Sequence, residues 1–242
     1  MFHFNPKNIR NIVILTGAGI SAESGIQTFR ASDGLWENHR IEDVATPEGF
    51  RKNPKLVYEF YNERRKKLLS PDVSPNIAHT SLAHLEREFA GTVTIITQNV
   101  DDLHERAGSK NIIHMHGELL KMRCQKTQIV YQIKENFDSD TKCLCCDRKG
   151  TLRPHIVWFN EIPFALDQID LELSHANLFI SIGTSGKVYP AAQFVSMAKQ
   201  RNQSYCIEIN PTSTDIEHSF DELHRELASL TVPKLVKFLL TK

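Results

Sequence analysis

The stretch that decides the fold is Ile12–Arg30, IVILTGAGISAESGIQTFR. Its apolar, β-branched start, from Ile12 to Leu15, predicts a buried strand. The turn Gly17-Ala18-Gly19 follows, and the residues after it predict a helix that starts at Ser21. A strand, a glycine turn and a helix form the phosphate-binding device of dinucleotide folds, because glycine lets a pyrophosphate approach the backbone and a helix N-terminus offers free N–H groups. A full GxGxxG motif is not present, since Ala22 stands where the third glycine would fall.

Further apolar runs along the chain alternate with segments of helical periodicity. Strands are predicted over 93–96, 112–113, 178–182 and 205–209, and helices over 54–69, 76–89, 190–199 and 232–240. In the helix over 76–89, Ile77, Leu82, Leu85 and Phe89 are predicted to face inward. This alternation predicts an α/β fold: a Rossmann-like, doubly wound parallel sheet with helices on both faces.

Two segments interrupt this pattern. Residues 33–75 predict a loop and helical segment suited to covering a cofactor, and residues 120–150 predict a small inserted module. The Rossmann-like core then comprises residues 1–32, 76–119 and 151–242.

Composition and charge exclude several classes of function. The net charge is zero, which argues against a nucleic-acid partner. No run of 18 apolar residues suits a membrane span, and the N-terminus lacks the layout of a signal peptide. We therefore expect a cytoplasmic protein without nucleic-acid or membrane partners.

Small and polar residues follow four of the predicted strands, at 16–19, 97–101, 183–186 and 210–212. The carboxyl ends of parallel strands share one edge of a sheet, and ligands bind there in open α/β folds. The sequence therefore predicts a ligand crevice along this edge.

Four of the five cysteines, Cys124, Cys143, Cys145 and Cys146, fall within 23 residues, which indicates a metal module. A zinc ribbon needs two CxxC pairs, but Thr127 stands where the partner of Cys124 is expected. The fourth ligand is then Cys145 or water, and a module without metal is the alternative. The fifth, Cys206, lies in an apolar run and is predicted to be a buried hydrophobe.

Three further positions have a plain structural interpretation. His116 is a candidate general base, because imidazole titrates near neutrality, or a histidine that only bonds to its own turn. Arg64, three residues after Tyr61 on one helix face, is predicted from composition to be a solvated surface charge. The run from Val157 to Phe159 is predicted to be a core strand.

The motifs taken together resemble the sirtuins, the NAD-dependent protein-lysine deacylases. GAGISAESGIxxFR is similar to the cofactor-binding signature of that family. The resemblance continues, in the family's order, through the segments 97–101 (TQNVD), 114–117 (HMHG), 153–159 (RPHIVWF) and 183–185 (GTS).

The resemblance implies NAD as co-substrate, structural Zn²⁺, and products that are nicotinamide, free lysine and an O-acyl-ADP-ribose. It implies His116 as the catalytic base, Asn99 as a second catalytic residue, and Phe29 as a shield for the reactive sugar carbon. His114 is expected to be structural. The NAD-binding residues implied are Gly17, Ala18, Gly19, Ile20, Ala22, Phe29, Arg30, Trp36, Gln98, Asn99, Asp101, Gly183, Thr184, Ser185, Asn210 and Ala228. The zinc ligands would be Cys124, Cys143 and Cys146, with Cys145.

The resemblance also points to a substrate. Tyr61 and Arg64 resemble the pair found in sirtuins that prefer acidic acyl groups, and Ala45 resembles the small residue that leaves room for a longer chain. An arginine fork binds a carboxylate through two hydrogen bonds, and a tyrosine hydroxyl adds a third donor. We therefore predict removal of succinyl, malonyl and, more weakly, acetyl groups from protein lysines, with Val157 and Phe159 holding the peptide.

Other functions remain open from the sequence. They are protein ADP-ribosyl transfer from the same NAD site and an NAD-sensing binding module. A dehydrogenase is disfavoured, because no acidic residue stands suitably about 20 residues after the glycine turn. We expect a monomer.

Overall fold

The computed structural model describes residues 2–27, 35–36 and 39–241. Its strands are β1 (Asn11–Thr16), β2 (Leu35–Trp36), β3 (His39–Arg40), β4 (Thr92–Thr97), β5 (Ile112–His114), β6 (Gly117–Cys124), β7 (Val130–Gln132), β8 (Leu152–Ile156), β9 (Leu178–Ile182), β10 (Tyr205–Ile209) and β11 (Glu222–His224). Its α-helices are α1 (Ala18–Ser21), α2 (Ile41–Val44), α3 (Pro47–Lys52), α4 (Pro54–Leu68), α5 (Ile77–Glu88), α6 (Leu103–Ala107), α7 (Leu166–His175), α8 (Phe194–Asn202) and α9 (Ala228–Leu240).

Six parallel strands form the main sheet, in the order β11-β10-β9-β1-β4-β5. The chain builds outward from β1 through β4 and β5, and then returns to the other side of β1 with β9. The strand order therefore reverses between β1 and β9, and ligand crevices form at such a reversal. The predicted α/β, doubly wound sheet is confirmed.

Alternate side chains of each strand enter different cores, because the side-chain period of a strand is two residues. Ile12 and Ile14 pack into one core with α5 and α9. Val13 and Leu15 pack into the opposite core with α7 and α8. Both faces of the sheet are thus covered, which explains the nearly continuous apolar runs of these strands.

A second, smaller unit packs beside the carboxyl end of β4, where Leu103 joins its hydrophobic core. It contains the antiparallel sheet β7-β6-β8 and the helices α2, α3 and α4. Helix α4 is tied to the small sheet by Tyr58, whose hydroxyl donates to the Leu152 carbonyl at 2.6 Å, and by Arg65, whose Nε donates to the Leu119 carbonyl at 3.1 Å. The small sheet therefore positions helix α4.

Several sequence predictions differ from the structure. The helix after the glycine turn is Ala18–Ser21 and does not start at Ser21, because a 3-10 turn over Ala22–Ser24 follows it. The helix predicted from residue 190 begins at Phe194, after a 3-10 turn. The last helix begins at Ala228, four residues earlier than predicted, and contains Pro233 within its first turns.

Two further corrections concern packing and strand pairing. Ile77 was predicted to face inward but is 54% exposed, because it occupies the first position of α5. Strand β8 lies within the range 151–242 that was given to the core, but it pairs with β6 of the small sheet. The segment 157–159 is not a strand, since β8 ends at Ile156.

Among the described helices, none combines the length and apolar character that crossing a bilayer requires.

Candidate active site

The glycine turn after β1 packs directly on the turn after β9. Gly17 N–H donates to the Ile182 carbonyl at 3.0 Å, and Gly19 N–H donates to the Gly183 carbonyl at 2.9 Å. A Cβ atom on Gly19 would lie 2.6 Å from the Gly183 Cα, and Gly183 itself has φ +63°. These glycines are therefore required for contact between two turns, in addition to any role in binding phosphate.

Asn99 and Asp101 are both buried beside this turn. The Asn99 amide donates to the Gly17 carbonyl at 3.1 Å and to the Ser21 hydroxyl at 3.2 Å. Ser21 Oγ donates to the Asp101 carboxylate at 3.0 Å, and the Leu103 N–H donates to its other oxygen at 3.1 Å. Burial raises the pKa of Asp101 to about 6 in spite of these hydrogen bonds. The structure thus brings the predicted nicotinamide-end residues together.

His116 follows strand β5 and is half-buried at the same edge. Its Nδ1 lies 3.1 Å from the Gln98 carbonyl oxygen, which can only accept a hydrogen bond. Nδ1 therefore carries the proton in the neutral ring, and Nε2 keeps its lone pair. Burial lowers the pKa of His116 below its usual value, so the ring is largely neutral at pH 7.

The rival histidine, His114, has a different environment. Its Nε2 lies 2.5 Å from a carboxylate oxygen of Glu105 in an ion pair at the end of β5. This pairing supports the prediction that His114 is structural.

The turns after β9 and β10 lie together at the same edge of the sheet. The Asn210 amide donates to the Thr184 carbonyl at 3.0 Å, and the Thr184 hydroxyl lies 2.9 Å from the Ser181 hydroxyl. Ser185 is exposed beside them. The Ile20 side chain is fully buried in the core, so only its main chain faces a ligand. Ala22 is exposed, and Ala228 is buried at the start of α9.

Tyr61 and Arg64 lie on the buried face of α4, which excludes the interpretation of Arg64 as a solvated charge. Tyr61 is fully buried and Arg64 is 7% exposed. The Arg64 guanidinium lies over the Phe60 ring at 3.1 Å and 5.2 Å from the Trp36 ring centroid. Trp36, predicted to contact NAD, therefore packs on this helix.

The segment from Val157 to Phe159 connects the two halves of the site. Val157 N–H donates to the His116 carbonyl at 2.9 Å, and Phe159 N–H donates to the Ala45 carbonyl at 2.9 Å. The candidate base and the candidate acyl-pocket residues are thus held by neighbouring positions of one segment. Phe29 and Arg30, which were predicted to contact NAD, lie outside the described residues.

A sequence profile described as the Sir2 family matches residues 17–190. The chain belongs to the Sir2 family.

Relatives and solved structures extend this match over almost the whole Sir2 chain. An NAD-dependent protein deacylase of Vibrio vulnificus is 59% identical over 231 residues, covering 96% of this chain and 94% of its own. A protein of the same name from Pasteurella multocida is 56% identical over 234 residues, covering 96% and 99%. The crystal structure of a Sir2 homologue with NAD is 40% identical, with a TM-score of 0.87 and coverage of 98% and 94%.

The small unit of this Sir2 chain brings four thiols together. The Sγ atoms of Cys124, Cys143, Cys145 and Cys146 all lie within 4.8 Å of one another. Cys124 and Cys146 are 3.9 Å apart, and Cys143 and Cys145 are 3.3 Å apart. A tetrahedron with Zn–S bonds of about 2.3 Å places sulfur atoms about 3.8 Å apart, so this donor set fits zinc.

Sequence reasoning placed Thr16 and Thr97 at the predicted ligand edge of the Sir2 site but missed the buried network that they form with His104. Thr16 Oγ1 lies 2.9 Å from Thr97 Oγ1 and 3.1 Å from His104 Nε2, and Thr97 Oγ1 accepts the Asn99 N–H at 3.0 Å. This buried network fixes the loop that carries Asn99. The signal in the sequence was the position of Thr16 and Thr97 at the ends of neighbouring strands.

Proposed function

We propose that this protein is an NAD-dependent protein-lysine deacylase, which transfers the acyl group to ADP-ribose and releases nicotinamide and free lysine. The observation that carries the proposal is the position of His116: a neutral imidazole at the carboxyl edge of the sheet, whose Nδ1 contacts the carbonyl of Gln98, the chain neighbour of the buried Asn99. The names of the relatives agree with this activity.

The crevice residues have distinct roles in the proposal. The turn at Gly17, Ala18 and Gly19 faces the phosphates of NAD, and Ser185 and Asn210 face its adenosine half. Asn99 and Asp101 face the nicotinamide. Bound NAD would supply an electrophilic sugar carbon: its bond to nicotinamide would break as the acyl oxygen bonds to it, and water would later release the free lysine.

His116 acts as the general base for a ribose hydroxyl. Its Nδ1–H is held by the Gln98 carbonyl, so the ring presents Nε2 in one orientation. Proton transfer to a positioned base contributes about 10²- to 10⁴-fold to such reactions. The lowered pKa of His116 keeps this nitrogen unprotonated at neutral pH.

The substrates we propose are lysines that carry succinyl or malonyl groups, in addition to acetyl-lysine. A buried arginine and a buried tyrosine on one face of α4 place a positive charge and a hydroxyl among aromatic rings. A terminal carboxylate is the acyl feature that these groups recognise. The small side chain of Ala45 suits a longer acyl chain, and the segment 157–159, which bonds to Ala45, would hold the peptide.

One experiment tests the proposed function. Purified protein is incubated with NAD and one lysine peptide in acetylated and succinylated forms, and the products are followed by mass spectrometry. We expect faster desuccinylation, and Arg64→Met should lower the ratio of desuccinylation to deacetylation by about 30-fold or more, since truncating one partner of a buried charge pair has that effect.

Lys67→Met is the matched control, because Lys67 is exposed on the same helix. Its ratio should equal that of the wild type. Deacetylation without desuccinylation would contradict the acidic-acyl proposal. A gain of ADP-ribose mass on an acceptor protein would favour the transferase alternative, and NAD binding without turnover would favour a sensor.

We further propose that zinc is held by Cys124, Cys143, Cys145 and Cys146, and that the protein acts as a monomer in the cytoplasm. Cys145 then replaces the cysteine that is absent at Thr127. Size-exclusion chromatography with light scattering tests the monomer, and cell fractionation tests the location.

A further inference from the structure

The buried hydroxyl of Tyr61 has a hydrogen-bond partner in Trp158. Trp158 Nε1 lies 3.0 Å from the Tyr61 hydroxyl oxygen, and both side chains are buried, Trp158 at 2% exposure. An indole nitrogen can only donate a hydrogen bond. The Tyr61 oxygen therefore accepts from Trp158, and the proton of the Tyr61 hydroxyl must point away from the indole.

Trp158 is held firmly enough to impose this direction. The Arg153 guanidinium lies over its ring at 3.4 Å from the centroid, and Arg153 in turn donates to both carboxylate oxygens of Glu161 at 2.6 and 2.9 Å. Glu161 also accepts a hydrogen bond from the main-chain N–H of Trp158 at 2.9 Å. The Phe50 ring packs on the indole, with centroids 5.1 Å apart. Both the backbone and the ring of Trp158 are therefore fixed.

We propose that Trp158 is a positioning residue for acyl selectivity, which orients the Tyr61 hydroxyl so that it donates its proton to the carboxylate of an acidic acyl group. This inference rests on the proposed function, because it needs a carboxylate in the pocket. It assigns selectivity to a residue that need not touch that carboxylate. Burial raises the pKa of Tyr61, so the hydroxyl keeps its proton in the working pH range.

A purely structural role for Trp158 makes a different prediction. As a large buried side chain it stabilises the small unit, and its loss would then impair all acyl substrates alike. A positioning role acts through one atom of Tyr61, so it changes the preference between acyl groups. The effect of losing the indole N–H should also disappear when Tyr61 has no hydroxyl.

A double-mutant cycle in the full-length protein separates these roles. Trp158→Phe, Tyr61→Phe and the double variant are assayed for kcat and KM with the succinylated and acetylated forms of one peptide. We expect Trp158→Phe to lower the ratio of desuccinylation to deacetylation about tenfold, mainly through KM, since a net hydrogen bond to a charged group has about this value. In the Tyr61→Phe background, Trp158→Phe should change the ratio by less than about twofold.

Tyr58→Phe is the matched control. It removes another buried hydroxyl from the same helix, one that donates to the Leu152 carbonyl, and it should leave the ratio unchanged. Circular dichroism and thermal melting check that each variant folds. Should Trp158→Phe fail to fold, site-specific incorporation of benzothienylalanine at position 158 removes the N–H while keeping the ring shape.

The outcomes separate the inference from the function on which it rests. A wild-type enzyme without desuccinylase activity would overturn the acidic-acyl proposal and this inference together. Wild-type desuccinylation with equal losses for both acyl groups in Trp158→Phe would overturn the inference alone. Additive effects of the two substitutions would also overturn it, because Trp158 would then not act through the Tyr61 hydroxyl.

Discussion

The carbonyl oxygen of Gln98 decides which nitrogen of His116 carries the proton in the neutral ring. It binds Nδ1 at 3.1 Å, and the end of strand β4 holds it in place, since Gln98 N–H donates to the Thr16 carbonyl at 2.9 Å. Two main-chain groups of neighbouring strand ends thus set the tautomer of a side chain. Burial of the ring also lowers the pKa of His116.

The pH dependence of kcat/KM should report this environment. We expect activity to fall on the acid side with a midpoint below pH 6.5, because His116 must lose its proton to act and its pKa is lowered. His116→Ala should lose about 10²- to 10⁴-fold in kcat. His175→Ala, at the exposed end of α7, is the control and should retain activity. An acid limb with its midpoint above pH 7 would contradict this assignment.

At the scale of elements, the contact between the β1 and β9 turns leaves no room for side chains. A Cβ on Gly19 would lie 2.6 Å from the Gly183 Cα and 2.8 Å from its carbonyl oxygen. Both neighbours are backbone atoms, which cannot rotate aside. The two turns must then separate, and the crevice between them changes shape.

Gly19→Ala should therefore destabilise the protein by about 2–3 kcal/mol, the usual effect of overpacking, and should abolish turnover. Gly150→Ala is the contrasting variant, because its Cβ meets no atom within 4 Å and only its φ of +67° opposes substitution. We expect Gly150→Ala to lower the free energy of unfolding by about 1 kcal/mol. Urea denaturation measures the free energy of unfolding of both variants. Equal losses of stability would contradict the view that the contact between the two turns causes the effect of Gly19→Ala.

The turn at 143–146 supplies three thiols where a regular ribbon supplies two. Cys145 Sγ lies 3.0 Å from the Thr127 hydroxyl, so it reaches the place of the absent cysteine. Leu144, between two of the thiols, is 81% exposed. The short loop thus directs its cysteines inward and its one large apolar side chain outward.

Cys145→Ser should lower the bound zinc well below one ion per chain, as measured by plasma mass spectrometry, since it removes a thiolate ligand. Thr127→Ala should keep its zinc. Removing zinc with a chelator should lower the melting temperature, because a structural zinc site stabilises the fold around it. A Cys145→Ser protein with full zinc content would favour water as the fourth ligand.

At the scale of the whole molecule, two buried histidines make stability depend on pH. His79 of α5 and His104 of α6 pack with ring centroids 5.0 Å apart beneath the sheet edge. Burial lowers the pKa of His79 to about 4 and that of His104 well below its usual value. Asp101 has the opposite effect on stability: its pKa is raised to about 6, so its protonation favours the folded state as the pH falls.

The unfolded state binds a proton at His79 below about pH 6.5, whereas the folded state binds it only near pH 4, so this contribution to stability is lost as the pH falls through that window. The loss from His79 reaches about 3 kcal/mol at the acid end. Comparing urea denaturation of the wild type and His79→Asn between pH 7 and pH 4 separates the contribution of His79 to the free energy of unfolding from that of Asp101. If the difference in free energy of unfolding between the two proteins stays constant with pH, the assignment to His79 is wrong.

Much of the fold could be predicted because its signals are local. The run Ile12–Leu15 is a short, continuous apolar and β-branched run typical of a buried strand, and the glycines after it remove the Cβ atoms that the turn cannot accommodate. The sequence order of strands and helices predicted the doubly wound sheet. Boundaries were less accurate where 3-10 turns precede or follow a helix, as at Ala22–Ser24, because the two kinds of helix share local residue preferences.

By itself, the sequence determined the parallel sheet, the edge where the crevice lies and the residues that its strand ends carry, because neighbours along the chain encode periodicity and backbone freedom. Only the tertiary structure decided that Arg64 is buried, that Cys145 joins the other three thiols, and that Trp158 donates to Tyr61 across 97 residues of sequence. Whether two such side chains meet depends on how whole elements pack, and that packing is a property of all their contacts together.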